Sequence, residues 1–245
     1  RTAVEVADAE LSWSQKAGAL ALSLKGVNLY DHSGLLVAGV PELDVGLSLE
    51  GLQHGLVAPT RVSLQKASIL IERNPDGAFS IGAAQAQSAG TQSSALPFLL
   101  ESVFAPPAKR NMASYLSEVA VDNADLTVID RRTGITVRAP DARLKLTRTE
   151  HGFSGGLEAT ANVADEHVKV SLKGNFNLKS QAGAIDASFS PVRLSHLAPL
   201  SNFYATFAPL DMPIGGSAHL DLGKNALITR ADLKLVASGG QVVPG

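Results

Sequence analysis

Residues Val27 to Leu49, VNLYDHSGLLVAGVPELDVGLSL, guide the interpretation of the rest of the chain. In the second half, Leu43, Val45, Leu47 and Leu49 are separated by single polar or small residues. This two-residue period is typical of a β-strand with one apolar and one polar face. The first half also alternates, up to a predicted turn at residues 31–34 (DHSG). The stretch therefore predicts a β-hairpin followed by a third strand, with Pro41 at the junction because proline cannot donate to a ladder.

The same pattern recurs about a hundred residues later, in LTVIDRRTGITVRAPDARLKL from Leu126 to Leu146. Gly134 and Pro140 of this copy correspond to Gly34 and Pro41 of the first. A weaker third copy runs over residues 69–81. Repetition of this kind predicts an extended array of similar β units, in preference to a single catalytic scaffold.

Composition and charge exclude several classes of function. The 245 residues carry a net charge of −2, which gives no electrostatic reason to expect a nucleic-acid partner. No cysteine is present, so disulfides, thiolate zinc sites and cysteine nucleophiles are excluded. The six histidines are scattered without metal-ligand spacing, and we expect neither a metal nor a cofactor. Apolar residues make up 45% of the chain but aromatic residues only 5%, so the apolar surface is mostly aliphatic.

The strand patterns divide the chain into three regions. Residues 1–94 form a predicted N-terminal β unit, and residues 95–118 a helical insert that begins behind a low-complexity loop. Residues 119–245 form a second β unit that includes a predicted helix at 194–210, and both units are expected to belong to one continuous structure. Because the chain begins within a predicted strand and ends on GGQVVPG, we expect it to be a fragment of a longer protein.

The number of amphipathic strands decides the fold class. Roughly a dozen strands each present an apolar face, and only two or three short helices are available to cover them. The sequence therefore predicts an all-β protein in which a long antiparallel sheet curls into an open apolar groove. The alternative is a closed β-sandwich, in which the same apolar faces pack against each other.

Several motifs resemble those of a known family. They are LSW at 11–13, residues 22–31, VPEL at 40–43, the run from Ile69 to Gly77 that ends ERNPDG, residues 119–140, the segment 191–210 and the GGQVVP ending. This set is similar to the N-terminal periplasmic region of AsmA-like proteins of Gram-negative bacteria, in particular the YhdP and TamB type. The resemblance covers most of the chain, through short strand and turn motifs.

The resemblance implies both a function and a location. Members of this group have an N-terminal helix in the inner membrane and a long periplasmic β-groove, similar in shape to the bridge-like lipid transfer proteins of eukaryotes. They are thought to conduct phospholipid toward the outer membrane. For this chain the resemblance implies a periplasmic, non-enzymatic protein that binds glycerophospholipid and supports outer-membrane assembly. Its implied partners are phospholipid, other envelope proteins and the rest of its own chain, including a membrane helix.

A lipid conduit needs a continuous apolar lining. Exposing the ~30 methylenes of a two-chain lipid to water costs on the order of 20 kcal/mol, at ~0.8 kcal/mol each. Aliphatic residues on the alternating faces suit a sliding acyl chain, although a packed sandwich would use the same residues. The predicted lining residues are Leu22, Leu24, Val45, Leu47, Ile69, Ile71, Val128, Leu144, Leu146, Val170 and Leu172.

Two further patterns have competing interpretations. Residues 152–156, GFSGG, match the G-x-S-x-G nucleophile motif, but the alternation that follows favours a glycine-rich hairpin over a strand-to-helix elbow. The stripe formed by Leu197, Leu200, Phe203 and Phe207 is either core or a cap on the groove. We therefore expect no catalytic residue. The competing function is an envelope structural or interaction module whose partners add strands at open edges.

Overall fold

The structure is a computed structural model of the chain. It describes residues 3–14, 19–30, 36–77, 79–83, 115–163, 165–198, 208–224, 227–239 and 241–242, with single residues at 202 and 205. The helical insert predicted at 95–118 lies outside the described residues up to position 114. The turn predicted at residues 31–34 also lies outside them.

The described residues form sixteen strands and two short helices. In the first half the strands are β1 (Ala3–Glu5), β2 (Asp8–Ser14), β3 (Ala19–Tyr30), β4 (Leu36–Leu47), β5 (Pro59–Gln65), β6 (Ser68–Arg73) and β7 (Phe79–Ala83). The second half contains β8 (Glu118–Asp130), β9 (Ile135–Thr149), β10 (Gly152–Val163), β11 (Glu166–Asn177), β12 (Ala182–Arg193), β13 (Leu210–Asp211), β14 (Pro213–Leu222), β15 (Ile228–Ala237) and β16 (Gln241–Val242). The helices are α1 (Leu49–Gln53) and α2 (Leu194–Leu197).

Fourteen of the strands belong to one sheet. The hydrogen-bonded order is β1, β3, β4, β5, β8, β9, β10, β11, β12, β14, β15, with β2 beside β3 and the β6/β7 hairpin beside β8. Strand β8 pairs in parallel with β5 and then with β6, and every other pairing in the sheet is antiparallel. Within the described residues the two ends of this order do not pair with each other. This confirms the predicted long, open and curled sheet, in place of the closed sandwich.

A line of backbone irregularities crosses the sheet at one level. In β3, Gly26 has φ +60° and lies opposite Pro41 of β4. Between β5 and β6, Lys66 has φ +55° and lies beside Asn123 of β8, which has φ +53°. Further bulges follow next to Pro140 in β9 and, between residues 189 and 192, in β12. Because a bulge bends its strand and increases its twist, this crease bends the strands of the sheet at a common level.

The side chains beside the crease indicate which way the strands bend. On the apolar face, the crease is flanked by alanines that are all less than 9% exposed: Ala67, Ala124, Ala139, Ala142 and Ala161. Small side chains on the inside of a bend let the two arms of each strand approach each other. The apolar face is therefore the inside of the curl, and the crease is the bottom of the trough.

Two sequence predictions about prolines and strands need correction. The expected third strand after the hairpin does not exist, because β4 runs unbroken from Leu36 to Leu47 through the exposed Pro41. Likewise, β9 is one strand of fifteen residues that contains Pro140. Both prolines are tolerated because each sits at a break in the ladder, where no donor is required.

The helix predicted at 194–210 is also wrong in extent. Helix α2 covers Leu194–Leu197, most of residues 199–207 lie outside the described residues, and at Leu210 the chain is in strand β13, so the predicted helix does not reach that position. Helix α1 follows β4 and begins at Leu49, a residue that the first stretch predicted as strand. Its N-terminus is capped by Ser48, whose Oγ accepts a hydrogen bond from Gly51 N at 2.9 Å.

The crease makes a prediction at Asn123, whose side chain is exposed and whose φ is positive. Asn123→Val should lower the free energy of unfolding by about 1–3 kcal/mol, because a β-branched residue strongly disfavours this backbone conformation. Asn123→Gly should leave stability nearly unchanged. Urea unfolding monitored by circular dichroism measures both. Equal stability of the two variants would contradict the bulge.

Candidate functional site

The register places all the predicted lining residues on one face of the sheet. Leu22 pairs with Val45, and the ladder continues through Val62 and Val119 to Leu146. A second apolar row begins at Leu24 and runs beside the first, across the strands, to Leu144 and Leu172. Ile69 and Ile71 join the same face through β8. Nine of the eleven are half-buried, and only Leu47 and Ile69 are buried.

The apolar rows continue to both outer strands. At one end, Leu11 lies opposite Leu22 and is 60% exposed. At the other end, Leu233 of β15 lies opposite Ala218 and is 69% exposed. Every residue of β15 is exposed. The apolar face therefore extends to both outer strands, with buried residues in its middle and exposed residues at both edges.

The most buried part of the face lies on β5, β8 and β9, which the sequence analysis did not include fully. Val119 and Val121 have no exposed surface, and Leu116 is 1% exposed. The buried cluster also contains Val62, Leu64, Leu126 and Phe153. Their alternation was visible in the sequence, but the parallel pairing of β5 with β8, which brings them together, was not.

A hollow of about 380 Å³ interrupts the apolar face on β10 and β11. Gly155 and Gly174 lie directly opposite each other there, where the neighbouring strands of the row carry Leu146 and Ile185. The rows above and below are filled by leucines 157 and 172 and by phenylalanines 153 and 176. We call this feature, bounded by those six side chains, the glycine hollow. Its floor is the backbone of the two strands.

One cation lies on the apolar face next to the glycine hollow. Arg148 of β9 is opposite Phe153 and two residues beyond Leu146. Burial lowers the pKa of the Arg148 guanidinium, which nevertheless remains charged at neutral pH. Arg148 stands near the β9/β10 turn, so this positive charge marks the rim of the trough.

The opposite face of the sheet is polar and held by ion pairs between strands. Glu118 binds both Arg61, at 3.0 Å, and Lys145, at 3.1 Å. Arg138 donates to Asp125 and lowers the pKa of that carboxyl. The two faces of the sheet are thus chemically distinct along most of its length.

The sequence reasoning missed a histidine between two carboxylates on this polar face. His219 Nδ1 lies 2.6 Å from Asp186 Oδ1, and its Nε2 lies 3.4 Å from Asp221 Oδ1. The hydrogen bond to Asp186 raises the pKa of His219. Asp186 lies on β12 and His219 on β14, so only the strand register brings them together. Among the described residues, no group of three or more His, Asp or Glu side chains has an arrangement that could hold a metal ion.

The nucleophile motif does not have the geometry that catalysis requires. Residues 152–156 all lie within β10, and the strand continues to Val163. Ser154 pairs with Thr147 and Asn175 in the ladders on either side. A nucleophile elbow needs a sharp strand-to-helix turn, which is absent at this position.

The predicted cap can be described at one residue only. Leu197 of α2 is half-buried and packs against the cluster around Val192. Leu200, Phe203 and Phe207 lie outside the described residues.

Among the described residues, none of the helices has both the length and the apolar composition needed to cross a membrane. No protein-family model matches the chain. A search of curated proteins finds none with significant similarity.

The His219 pair makes a prediction about pH. Because the folded-state pKa of His219 is raised, the pair stabilises the protein below the unfolded-state pKa, and this stabilisation is lost as pH rises through the folded-state pKa. Asp186→Asn should bring the pKa of His219 down toward its ordinary value of 6.5. The variant should be less stable than the parent protein at about pH 5.5, where the pair stabilises the parent. At about pH 9 the difference in stability should be smaller. Histidine-resolved NMR titration measures the pKa, and an unchanged value would contradict the pairing.

Proposed function

We propose that this chain binds the acyl chains of glycerophospholipids along the apolar face of its curled sheet and lets them move along the trough. The observation that carries the proposal is the register of the apolar rows. They cross the sheet strand by strand from Leu11 to the exposed residues of β15, on the inside of the curl.

The chemistry of the face suits an aliphatic ligand. The rows are made largely of leucine, valine and isoleucine, and the charged residues lie mostly on the other face or at the strand ends. Side chains such as Leu144 and Leu172 are half-buried, so a ligand can cover the part of each that water still reaches. Covering them removes apolar area from water, at about 25 cal/mol per Å². Movement along such a face needs no catalytic group.

The resemblance to AsmA-like proteins gives the proposal its cellular setting. In this proposal the chain is the periplasmic part of a protein anchored in the inner membrane. It passes phospholipid toward the outer membrane and supports outer-membrane assembly. The direction would be set by a lipid gradient or by an energised partner, because nothing in an apolar face prefers one direction.

One observation favours a second function. Strand β15 is ten residues long, fully exposed, and has β14 as its only strand partner among the described residues. An open edge of this kind can accept an extended segment of an envelope protein by strand addition. This function as an interaction module differs from lipid binding because it needs only the open edge of β15 and not the apolar face.

The proposal predicts opposite behaviour for two neighbouring residues of β11. Leu172→Asp places a carboxylate on the apolar face, whereas Ser171→Asp places it on the polar face. Protein purified from a bacterial envelope under mild conditions should retain phospholipid. Its amount should fall about tenfold or more in Leu172→Asp and little in Ser171→Asp, because an unpaired charge in an apolar environment is costly. Native mass spectrometry with lipid extraction measures both.

Circular dichroism and thermal unfolding are the control for this comparison. Both variants should keep the strand content of the parent protein, since Leu172 is only half-buried. A compact protein that carries no lipid, or equal lipid loss in the two variants, would argue against the groove and for the interaction module.

A further inference from the structure

The glycine hollow is an exception in the row to which it belongs. From Leu22 through Val45, Val62 and Val119 to Leu146, each strand contributes a branched aliphatic side chain, and Ile185 resumes the row on β12. Between them, Gly155 and Gly174 contribute none. Two adjacent strands thus expose backbone on a face that is otherwise lined by side chains.

The space beside these glycines is bounded by both backbone and side-chain atoms of the neighbouring strands. A Cβ at position 155 would lie 3.1 Å from Leu146 Cδ1, and one at position 174 would lie 3.3 Å from Ile185 Cγ1. The side chains of Leu146 and Ile185 therefore lie next to the two glycines and form two sides of the hollow. Neither glycine has a positive φ, but each lets the neighbouring backbone approach closely: a Cβ would lie 3.0 Å from Lys145 O at position 155 and 3.2 Å from Ala184 O at position 174.

We propose that the glycine hollow is a discrete binding site for one acyl chain of a glycerophospholipid. The chain lies against the backbone of β10 and β11, between the leucine pair and the phenylalanine pair that bound the hollow. The headgroup phosphate lies at the rim, beside Arg148. This inference rests on the proposed function and adds to it a place where the lipid pauses in a fixed orientation.

Two observations favour this occupant. The hollow is a wide, open depression of about 380 Å³, and the side chains that bound it are apolar, which selects an aliphatic chain over a polar ligand. The cation at the rim complements an anionic phosphodiester, because a guanidinium matches the geometry of phosphate oxygens. An amphiphile with one charged end and an aliphatic body fits both features together.

Photo-crosslinking tests the location directly. The probe is phosphatidylglycerol with a diazirine in one acyl chain, presented in vesicles of phosphatidylethanolamine and phosphatidylglycerol. After illumination, peptide mapping should find the adducts concentrated on Leu146, Leu157, Leu172 and Ile185. Adducts spread evenly over the apolar face, with total lipid binding intact, would overturn the site but leave the proposed function standing. No crosslinking at all would overturn both, as would labelling by a diazirine fatty acid but not by the phospholipid.

A pair of glycine substitutions supplies matched variants. Gly174→Val fills the hollow, and crosslinking at the four residues should fall about tenfold. Gly156→Val adds the same side chain to β10 on the polar face, where a Cβ meets its nearest atom at 3.4 Å, and should leave crosslinking unchanged. If Gly174→Val does not fold, Gly174→Ala is used, and a smaller loss is expected. Unchanged crosslinking in a folded Gly174 variant would overturn the site.

The headgroup position has its own test. Crosslinking should be several-fold stronger for the diazirine phosphatidylglycerol than for a diazirine diacylglycerol of identical chains, which lacks the phosphate, and Arg148→Gln should abolish the difference. The same preference in Arg148→Gln and in the parent protein would overturn the placement of the phosphate at this rim.

Discussion

The register of β8 with its three neighbours is the constraint on which the rest of the molecule depends. Its two edges hold β5 and β6 on one side and β9 on the other, so it joins the two halves of the chain. A slip of one residue would turn Val119 and Val121 to the polar side. It would also carry Glu118 away from Arg61 and Lys145. Apolar burial on one face and ion pairing on the other therefore specify the same alignment.

The crease converts this register into a trough. A flat sheet with one apolar face would have to pack against a second layer or aggregate, whereas bending each strand at one level turns the face inward. The bend depends on unlike local devices: a positive-φ glycine in β3, asparagine in β8, and prolines in β4 and β9. Because these devices lie side by side in the ladders, separate local distortions add up to one continuous fold line. The buried alanines on its inner side keep the two walls close at the bottom.

Local alternation made the strands and their apolar faces predictable, since side-chain direction follows the two-residue period. Long-range pairing was not predictable in the same way. Nothing in the sequence near Val62 indicates that Val119 will be its neighbour, or that Asp186 will meet His219. Proline usually ends a central strand, so the sequence predicted a junction at Pro41. In the structure the irregularity at Gly26 lies opposite, and no N–H donor is needed from residue 41. Of the glycine pair, only Gly155 belonged to a sequence motif, because the pairing with Gly174 depends on two strands being in register.

The gradient of burial along the sheet distinguishes a groove from a core. A closed sandwich would bury Leu144 and Leu172 as completely as Val119, yet they remain half-exposed, and Leu233 is largely exposed. Single exposed leucines are ordinary on protein surfaces, but aligned rows of them that continue from strand to strand form a contiguous patch, which marks an interaction surface. The ion pairs of the polar face satisfy its charged groups, so the face that remains to be covered is the apolar one. An aliphatic ligand satisfies that surface without supplying backbone hydrogen bonds, which the ladders already provide to each other.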